Sequence, residues 1–123
     1  MPRTGGQFMV GFRKKTKYGS VRQTYKGYSF QSKAETKYAM YLDQRVKDGE
    51  ILSWTPQVKI ELFGENGTRV CNYYMDFVAE HPDGKTEYIE VKGFATSIWR
   101  LKWKLFKDKM GKDASKIITL EKV

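Results

Sequence analysis

The hydrophobic and polar positions of residues 32–48 follow a helical period. The run opens with Ser32-Lys33-Ala34-Glu35, a capping-box sequence, and Gly49 ends it. Glu35 lies inside the apolar stripe of this predicted helix rather than on its polar face. Two compatible explanations stay open: Glu35 completes the capping box, or it serves a functional site. The stripe contains Ala34, Tyr38, Tyr41, Leu42 and Val46.

A series of extended segments follows the helix. They are predicted, in chain order, at residues 51–54 and 57–63, which count as one broken strand in the element order, and then at 73–79, 87–92 and 116–121. Pro56 separates the first two, and Glu65-Asn66-Gly67 predicts a hairpin turn before the third. His81-Pro82-Asp83-Gly84 has turn chemistry, so residues 73–79 and 87–92 are predicted to pair as an antiparallel hairpin.

A second helix is predicted from Ser97 to Met110, ending before Gly111. It carries two apolar lines, one of Ile98, Leu101 and Leu105 and one of Trp99, Trp103, Phe106 and Met110. The core needs one line, and the aromatic line is a candidate subunit interface unless both are buried within one subunit. The element order α-β-β-β-α-β predicts an α/β sandwich, a mixed sheet flanked by helices.

Length and composition fit one folded domain. The chain has 123 residues, of which 40% are hydrophobic and 15% aromatic. No apolar stretch approaches the roughly 20 residues that cross a membrane, and the N-terminus lacks the apolar core of a secretion signal. Cys71 is the only cysteine, which excludes an internal disulfide and favours a reducing compartment. We therefore expect a cytoplasmic protein with no membrane partner.

The net charge of +9 is unevenly distributed. Residues 1–34 contain eight basic and no acidic residues. Residues 35–91 contain six basic and eleven acidic residues, and residues 92–123 contain nine basic and three acidic residues. Basic ends around an acidic centre suit an enzyme that grips a polyanion, although solubility alone is an alternative. Residues 1–27 are predicted to be a flexible, basic, glycine-rich arm, or an inert leader, before a domain at 28–123. The candidate nucleic-acid contacts are Arg13, Lys14, Lys15, Lys17, Arg22, Lys26, Lys33, Arg100 and Lys104.

The candidate chemistry is carried by Asp76 and by Glu90-Val91-Lys92, which begins fourteen residues later. Because side chains alternate along a strand, Glu90 and Lys92 share one face. Two carboxylates that meet on a sheet repel each other and attract a divalent metal ion, and a lysine suits a phosphate substrate. This pattern predicts a metal-dependent phosphodiesterase. An ordinary cross-strand charge pattern on a solvated face is the alternative.

The set of Glu35 on the first helix, Asp76 on one strand and Glu90-Val91-Lys92 on the next resembles the PD-(D/E)xK, or restriction-endonuclease-like, nucleases. The resemblance covers roughly residues 28–121 and implies a restriction-endonuclease-like core. More narrowly, the chain resembles a phage-encoded family of unknown function that is similar to archaeal-type Holliday junction resolvases. The segments that carry this likeness are Phe30-Gln31-Ser32-Lys33-Ala34-Glu35, Tyr73-Tyr74-Met75-Asp76-Phe77 and Ile89-Glu90-Val91-Lys92-Gly93. This chain departs from the family pattern at two points. Met75 stands where the motif has proline, and the basic arm before residue 28 is absent from the compact archaeal enzymes.

The resemblance implies roles for the four residues. Asp76 and Glu90 would ligate Mg²⁺, for which Mn²⁺ can substitute, together with the Val91 carbonyl. Glu35 would bind the metal directly, through water or through a second ion. Lys92 would orient the attacking water and offset the charge that grows on the phosphate.

The activity implied is that of a phage-type Holliday junction resolvase, acting as a homodimer on four-way DNA junctions in a host cytoplasm. Two alternatives remain at this stage. One is a nuclease for flaps, forks or ordinary duplex DNA, and the other is a non-catalytic nucleic-acid-binding module.

Overall fold

A computed structural model describes residues 23–123, and a four-stranded sheet with a helix on each face forms its centre. The elements are β1 (Gln23–Tyr25), β2 (Tyr28–Phe30), α1 (Lys33–Lys47), β3 (Ser53–Phe63), β4 (Arg69–Glu80), β5 (Thr86–Lys92), α2 (Ser97–Met110) and β6 (Lys116–Lys122). The order from α1 onward is the predicted α-β-β-β-α-β.

The sheet has the order β3-β4-β5-β6 and is mixed, as predicted. β3, β4 and β5 form an antiparallel meander, and β6 runs parallel to β5 after the α2 crossover. The turn between β4 and β5 is closed by hydrogen bonds from His81 N to Lys85 O and from Gly84 N to His81 O. The α/β class and the hairpin predicted around Asp76 and Glu90 are therefore confirmed.

Pro56 does not separate two segments, contrary to the prediction, because β3 continues through it to Phe63. β3 is an edge strand of the four-stranded sheet. Proline lacks a backbone N–H, and an edge strand tolerates that loss because one of its sides has no strand to pair with. The predicted break is therefore wrong.

Residues 23–27 were assigned to the predicted arm, but in the structure they form β1 and the turn into β2. The hairpin is held to α1, since the Tyr25 hydroxyl donates to Asp43 and Lys26 Nζ lies 3.0 Å from Asp43 Oδ2. The paired strand and the acidic partner on α1 explain why this part of the segment is ordered. The remainder of the predicted arm lies outside the described residues.

The apolar stripe predicted for α1 faces the core except for Tyr41, since Leu42 is buried and Ala34, Tyr38 and Val46 pack against the same cluster. On α1, Ala39 and Leu42 are fully buried, whereas Tyr41 is 52% exposed and does not belong to the core. On α2, the aromatic line faces inward, with Trp103 and Phe106 buried against β4. The aromatic line is therefore core and not a free interface.

Both helix N-termini are capped by side chains. Ser32 Oγ accepts a hydrogen bond from Glu35 N at 3.2 Å, which confirms the predicted capping box. Glu35 Oε1 reaches back to Gln31 N at 3.0 Å, one residue before the expected amide. The cap of α2 is Thr96 rather than Ser97. Within residues 23–123, no helix combines the length and apolar character needed to cross a membrane.

Candidate active site

The site lies where β4 and β5 separate. Their backbone pairing ends at Phe77 and Ile89, and Asp76 and Glu90 are the next residues beyond that pair. Asp76 Oδ2 accepts a hydrogen bond from Val91 N at 2.7 Å, so a carboxylate replaces the missing ladder bond. The opening between the strands thus fixes the orientation of Asp76.

The core contacts of β4 change sides at the same point. Met75 packs in the cluster under α2, while Phe77, two residues later, packs in the cluster under α1. Regular alternation would place both on one face of the sheet. Asp76 lies at this switch and can therefore reach side chains from both sides of the sheet.

A pocket of about 410 Å³ brings together the four predicted site residues. Glu35 comes from the first turn of α1, Asp76 from β4, and Glu90 and Lys92 from β5. Residues separated by up to 57 positions in sequence therefore line one cavity.

Asp76 is set among groups that disfavour its charge. Burial raises the pKa of its carboxyl well above the usual range, and the nearby carboxylates of Glu90 and Glu35 raise it further. The hydrogen bond from Val91 N lowers it only in part. Ionising Asp76 therefore has a free-energy cost that an added cation would relieve.

Glu90 is 2% exposed and is held by three partners. The Tyr73 hydroxyl donates to Oε1 at 2.9 Å, Trp99 Nε1 donates to Oε2 at 3.0 Å, and Lys92 Nζ lies 3.4 Å from Oε2. Burial raises the pKa of Glu90 despite the opposing effects of these partners. Each carboxylate oxygen has two lone pairs, so these bonds leave acceptor capacity for an ion.

Lys92 shares a face of β5 with Glu90, as predicted. Both side chains contact the Trp99 indole, since Lys92 Nζ lies 4.8 Å from the centre of its ring. A cation over an indole face is stabilised without a full neutralising partner. The ammonium is thus held beside the carboxylates while the side chain remains partly exposed to the pocket.

The donor set matches the preference of Mg²⁺ for oxygen. Three carboxylates, from Glu35, Asp76 and Glu90, lie in this pocket, and the Lys92 ammonium pairs with Glu90. Within residues 23–123, no group of three acidic, histidine or cysteine side chains is arranged so that it could hold a metal ion. Mg²⁺ does not require three such ligands, because it keeps several of its waters and binds through one or two carboxylates.

Residues 15–122 match the profile of a family described as "Protein of unknown function (DUF1064)". The chain belongs to the DUF1064 family. No curated protein and no solved structure matches it. The family description names no activity.

Several residues that line this pocket were not predicted from the sequence as site residues. Tyr73 and Trp99 position Glu90, and Trp99 Nε1 also donates to the Tyr73 hydroxyl at 3.2 Å. Lys102 adds a second ammonium to the pocket wall, donating to Asn72 O at 3.0 Å. Tyr73 and Trp99 carried a weak signal, because a phenol and an indole facing a core need polar partners.

The predicted nucleic-acid contacts fall into three groups. Lys33, Arg100 and Lys104 are exposed near the N-terminus of α1 and on the outer side of α2. Lys26 is 58% exposed but is paired with Asp43. The remaining candidates, Arg13, Lys14, Lys15, Lys17 and Arg22, lie outside the described residues.

Proposed function

We propose that this DUF1064 protein is a Mg²⁺-dependent DNA endonuclease with a restriction-endonuclease-like core. The observation that carries the proposal is the pocket in which Asp76, Glu90 and Glu35 accumulate negative charge beside Lys92. A buried group of like charges is costly unless a cation joins it. Perturbed carboxyls that share a cavity are a frequent mark of catalytic sites.

The residues divide the work according to their positions. Asp76 and Glu90 would hold Mg²⁺, with the Val91 carbonyl and Glu35 as the further oxygen donors that the resemblance implies. The ion supplies Lewis-acid polarisation of the phosphate and a more acidic water. Lys92 offsets the negative charge that grows on the phosphate and orients the attacking water. Tyr73 and Trp99 keep the Glu90 carboxylate in place.

The rim of the pocket supports branched DNA as the substrate. Tyr74 and Phe94 line the pocket with side chains that are 48% and 63% exposed. Exposed aromatic rings can stack on bases that are unpaired at a branch point. Continuous duplex keeps its bases stacked on one another and offers no such partner. We therefore propose four-way junctions, or a related branched form, as the substrate class.

A cleavage assay tests this function. Labelled four-way junction, fork and duplex of matched sequence are incubated with the protein in Mg²⁺, Mn²⁺ or EDTA. We expect junction cleavage with either metal and none in EDTA. Asp76→Asn should bind the junction in a gel-shift assay but fail to cut it, since removing a negative charge does not weaken attraction to phosphate.

Each other outcome counts against a stated part of the proposal. Cleavage in EDTA contradicts the metal mechanism. Equal cutting of duplex contradicts selection for branched DNA. Binding without cleavage by the wild-type protein contradicts the nuclease and favours a nucleic-acid-binding module.

We further propose that the active form is a homodimer. A junction is resolved by two symmetric nicks, and a two-fold dimer supplies two sites with matching geometry. Ile98 and Leu101 on α2 are each 69% exposed and form the outer apolar line of that helix. Light scattering should report twice the 14.4 kDa chain mass for the wild type and a shift toward monomer for Leu101→Glu. A wild-type monomer at micromolar concentration would contradict the dimer.

A further inference from the structure

Gln57 has an unusual backbone for a residue in the middle of a strand. Its φ is +54°, in the left-handed region, although β3 continues on both sides of it. Residues with a side chain rarely adopt this conformation, because the Cβ atom crowds the backbone. Such strain is retained where the surroundings fix it, and it is common at functional sites.

The side chain of Gln57 is also unusual. It is buried, and its Nε2 donates to Ser29 O at 2.9 Å. A carbonyl oxygen only accepts hydrogen bonds, so the amino group must face Ser29 and the position of Oε1 is fixed. Among the residues that the structure describes, no donor reaches this buried Oε1. An acceptor buried in this way is unfavourable unless a donor or a cation reaches it.

The position of Gln57 places both features at the pocket. The pairs Pro56 with Phe77 and Val58 with Met75 put Gln57 directly across from Asp76. Gln57 lines the same cavity as Glu35, Asp76 and Glu90. Ionised carboxylates only accept hydrogen bonds, so these three side chains cannot satisfy Oε1 in that state. A metal cation can satisfy Oε1, either directly or through a bound water that donates a hydrogen bond to it.

We propose that Gln57 Oε1 supplies a neutral oxygen to the metal centre, alongside Asp76 and Glu90. This inference rests on the proposed metal-dependent function. Magnesium and manganese accept amide oxygens as ligands, and a neutral donor adds no further charge to a crowded acidic site. The hydrogen bond to Ser29 fixes the orientation of the Gln57 amide before an ion binds.

The test measures Mn²⁺ binding to the full chain by calorimetry, independently of cleavage. Gln57→Met removes the amide oxygen at nearly constant length. Gln57→Gly removes it as well and suits the left-handed backbone, so it remains informative if the methionine variant folds poorly. Gln44→Met makes the same chemical change on the exposed side of α1, where the Gln44 side chain donates to Asp48 Oδ1 at 3.0 Å. Circular dichroism confirms folding in each case.

We expect Mn²⁺ affinity to fall by about 10- to 100-fold in both Gln57 variants, the range seen when groups that support a metal site are removed. Gln44→Met should bind as the wild type does. Wild-type affinity in Gln57→Gly overturns the inference while leaving the proposed nuclease intact. Failure of the wild type itself to bind Mn²⁺ overturns the metal centre, and the role of Gln57 with it.

Discussion

Glu87 and Glu90 lie three residues apart on β5 and are both buried, yet their surroundings have opposite effects. Glu87 accepts hydrogen bonds from His81 at 2.7 Å, Thr119 at 2.8 Å and Arg45 at 3.1 Å. Burial by itself raises the pKa of Glu87, but these partners outweigh it and hold the pKa below its usual value. Burial raises the pKa of Glu90, and its partners do not reverse the shift.

The two glutamates differ because of what stands beside them. Glu87 faces α1, where the Arg45 guanidinium neutralises it. Glu90 faces α2 and the pocket, where the Asp76 carboxyl is close and the Lys92 ammonium lies 3.4 Å from Glu90 Oε2. A buried carboxylate with a complete set of partners supports the fold. One whose pKa stays raised despite its partners is a candidate for binding a cation, which is why we propose a functional role for Glu90 and not for Glu87.

Neutralising each glutamate in turn is the strongest test of this difference. Glu90→Gln should lower junction cleavage in Mg²⁺ by about 100-fold or more, because it removes a proposed metal ligand. Glu87→Gln should cut at close to the wild-type rate at temperatures where it is folded. Initial rates at saturating Mg²⁺ measure both. A folded Glu87→Gln variant as inactive as Glu90→Gln would break the distinction.

The same substitution at Glu87 should cost stability instead. It leaves the Arg45 side chain, which is 11% exposed, without its buried partner. We expect a loss of about 3 kcal/mol in the free energy of unfolding at pH 7, measured by urea denaturation in EDTA. Because the folded pKa of Glu87 lies below its usual 4.5, the ionised carboxylate contributes its full stabilisation above pH 4.5. The difference in unfolding free energy between wild type and Glu87→Gln should shrink as the pH falls below 4.5. A difference that stays constant would contradict the ion pair.

Asp76→Asn should change stability in the opposite direction. Because the folded pKa of Asp76 is raised, its ionised form destabilises the fold. This destabilisation decreases as the pH falls through the raised folded pKa toward the usual 3.8, because the carboxyl becomes protonated in the folded protein. Asparagine removes the charge and can still accept the bond from Val91 N. In EDTA at pH 7 we expect a gain of about 0.5–2 kcal/mol, typical of relieving a functional site. The gain should vanish near pH 4, and a loss of stability at pH 7 would contradict this account.

The sequence predicted which four residues meet in the pocket because its signals are local. The turn at His81-Pro82-Asp83-Gly84 and the alternation of Glu90 and Lys92 are read within a few residues, and the capping box marks Glu35. The contrast between Glu87 and Glu90 could not be predicted in this way. Arg45 and Thr119 lie 42 and 32 positions from Glu87, so only the packed fold reveals its partners.

The same limit applied at the pocket walls. Tyr73 is 17 positions from Glu90, and nothing local marks it as the donor that holds the carboxylate. The left-handed Gln57 likewise follows a proline that suggested a break rather than a continuous strand. Contacts made by tertiary packing therefore account for most of what the sequence left out.

The smallest expected effects come from removing one hydroxyl beside each glutamate. Tyr73→Phe deletes the donor to Glu90 Oε1, and Thr119→Val deletes the donor to Glu87 Oε2. Each loss should lower the free energy of unfolding by about 1 kcal/mol, the usual worth of one hydrogen bond.

Only Tyr73→Phe should also slow cleavage, by about 10-fold, because the hydroxyl orients a proposed metal ligand. Burial raises the pKa of the Tyr73 phenol, which keeps it a donor across the pH range of such assays. Urea denaturation and initial cleavage rates on the same samples separate the two effects. Equal rates for both variants would show that the Tyr73 bond serves the fold alone.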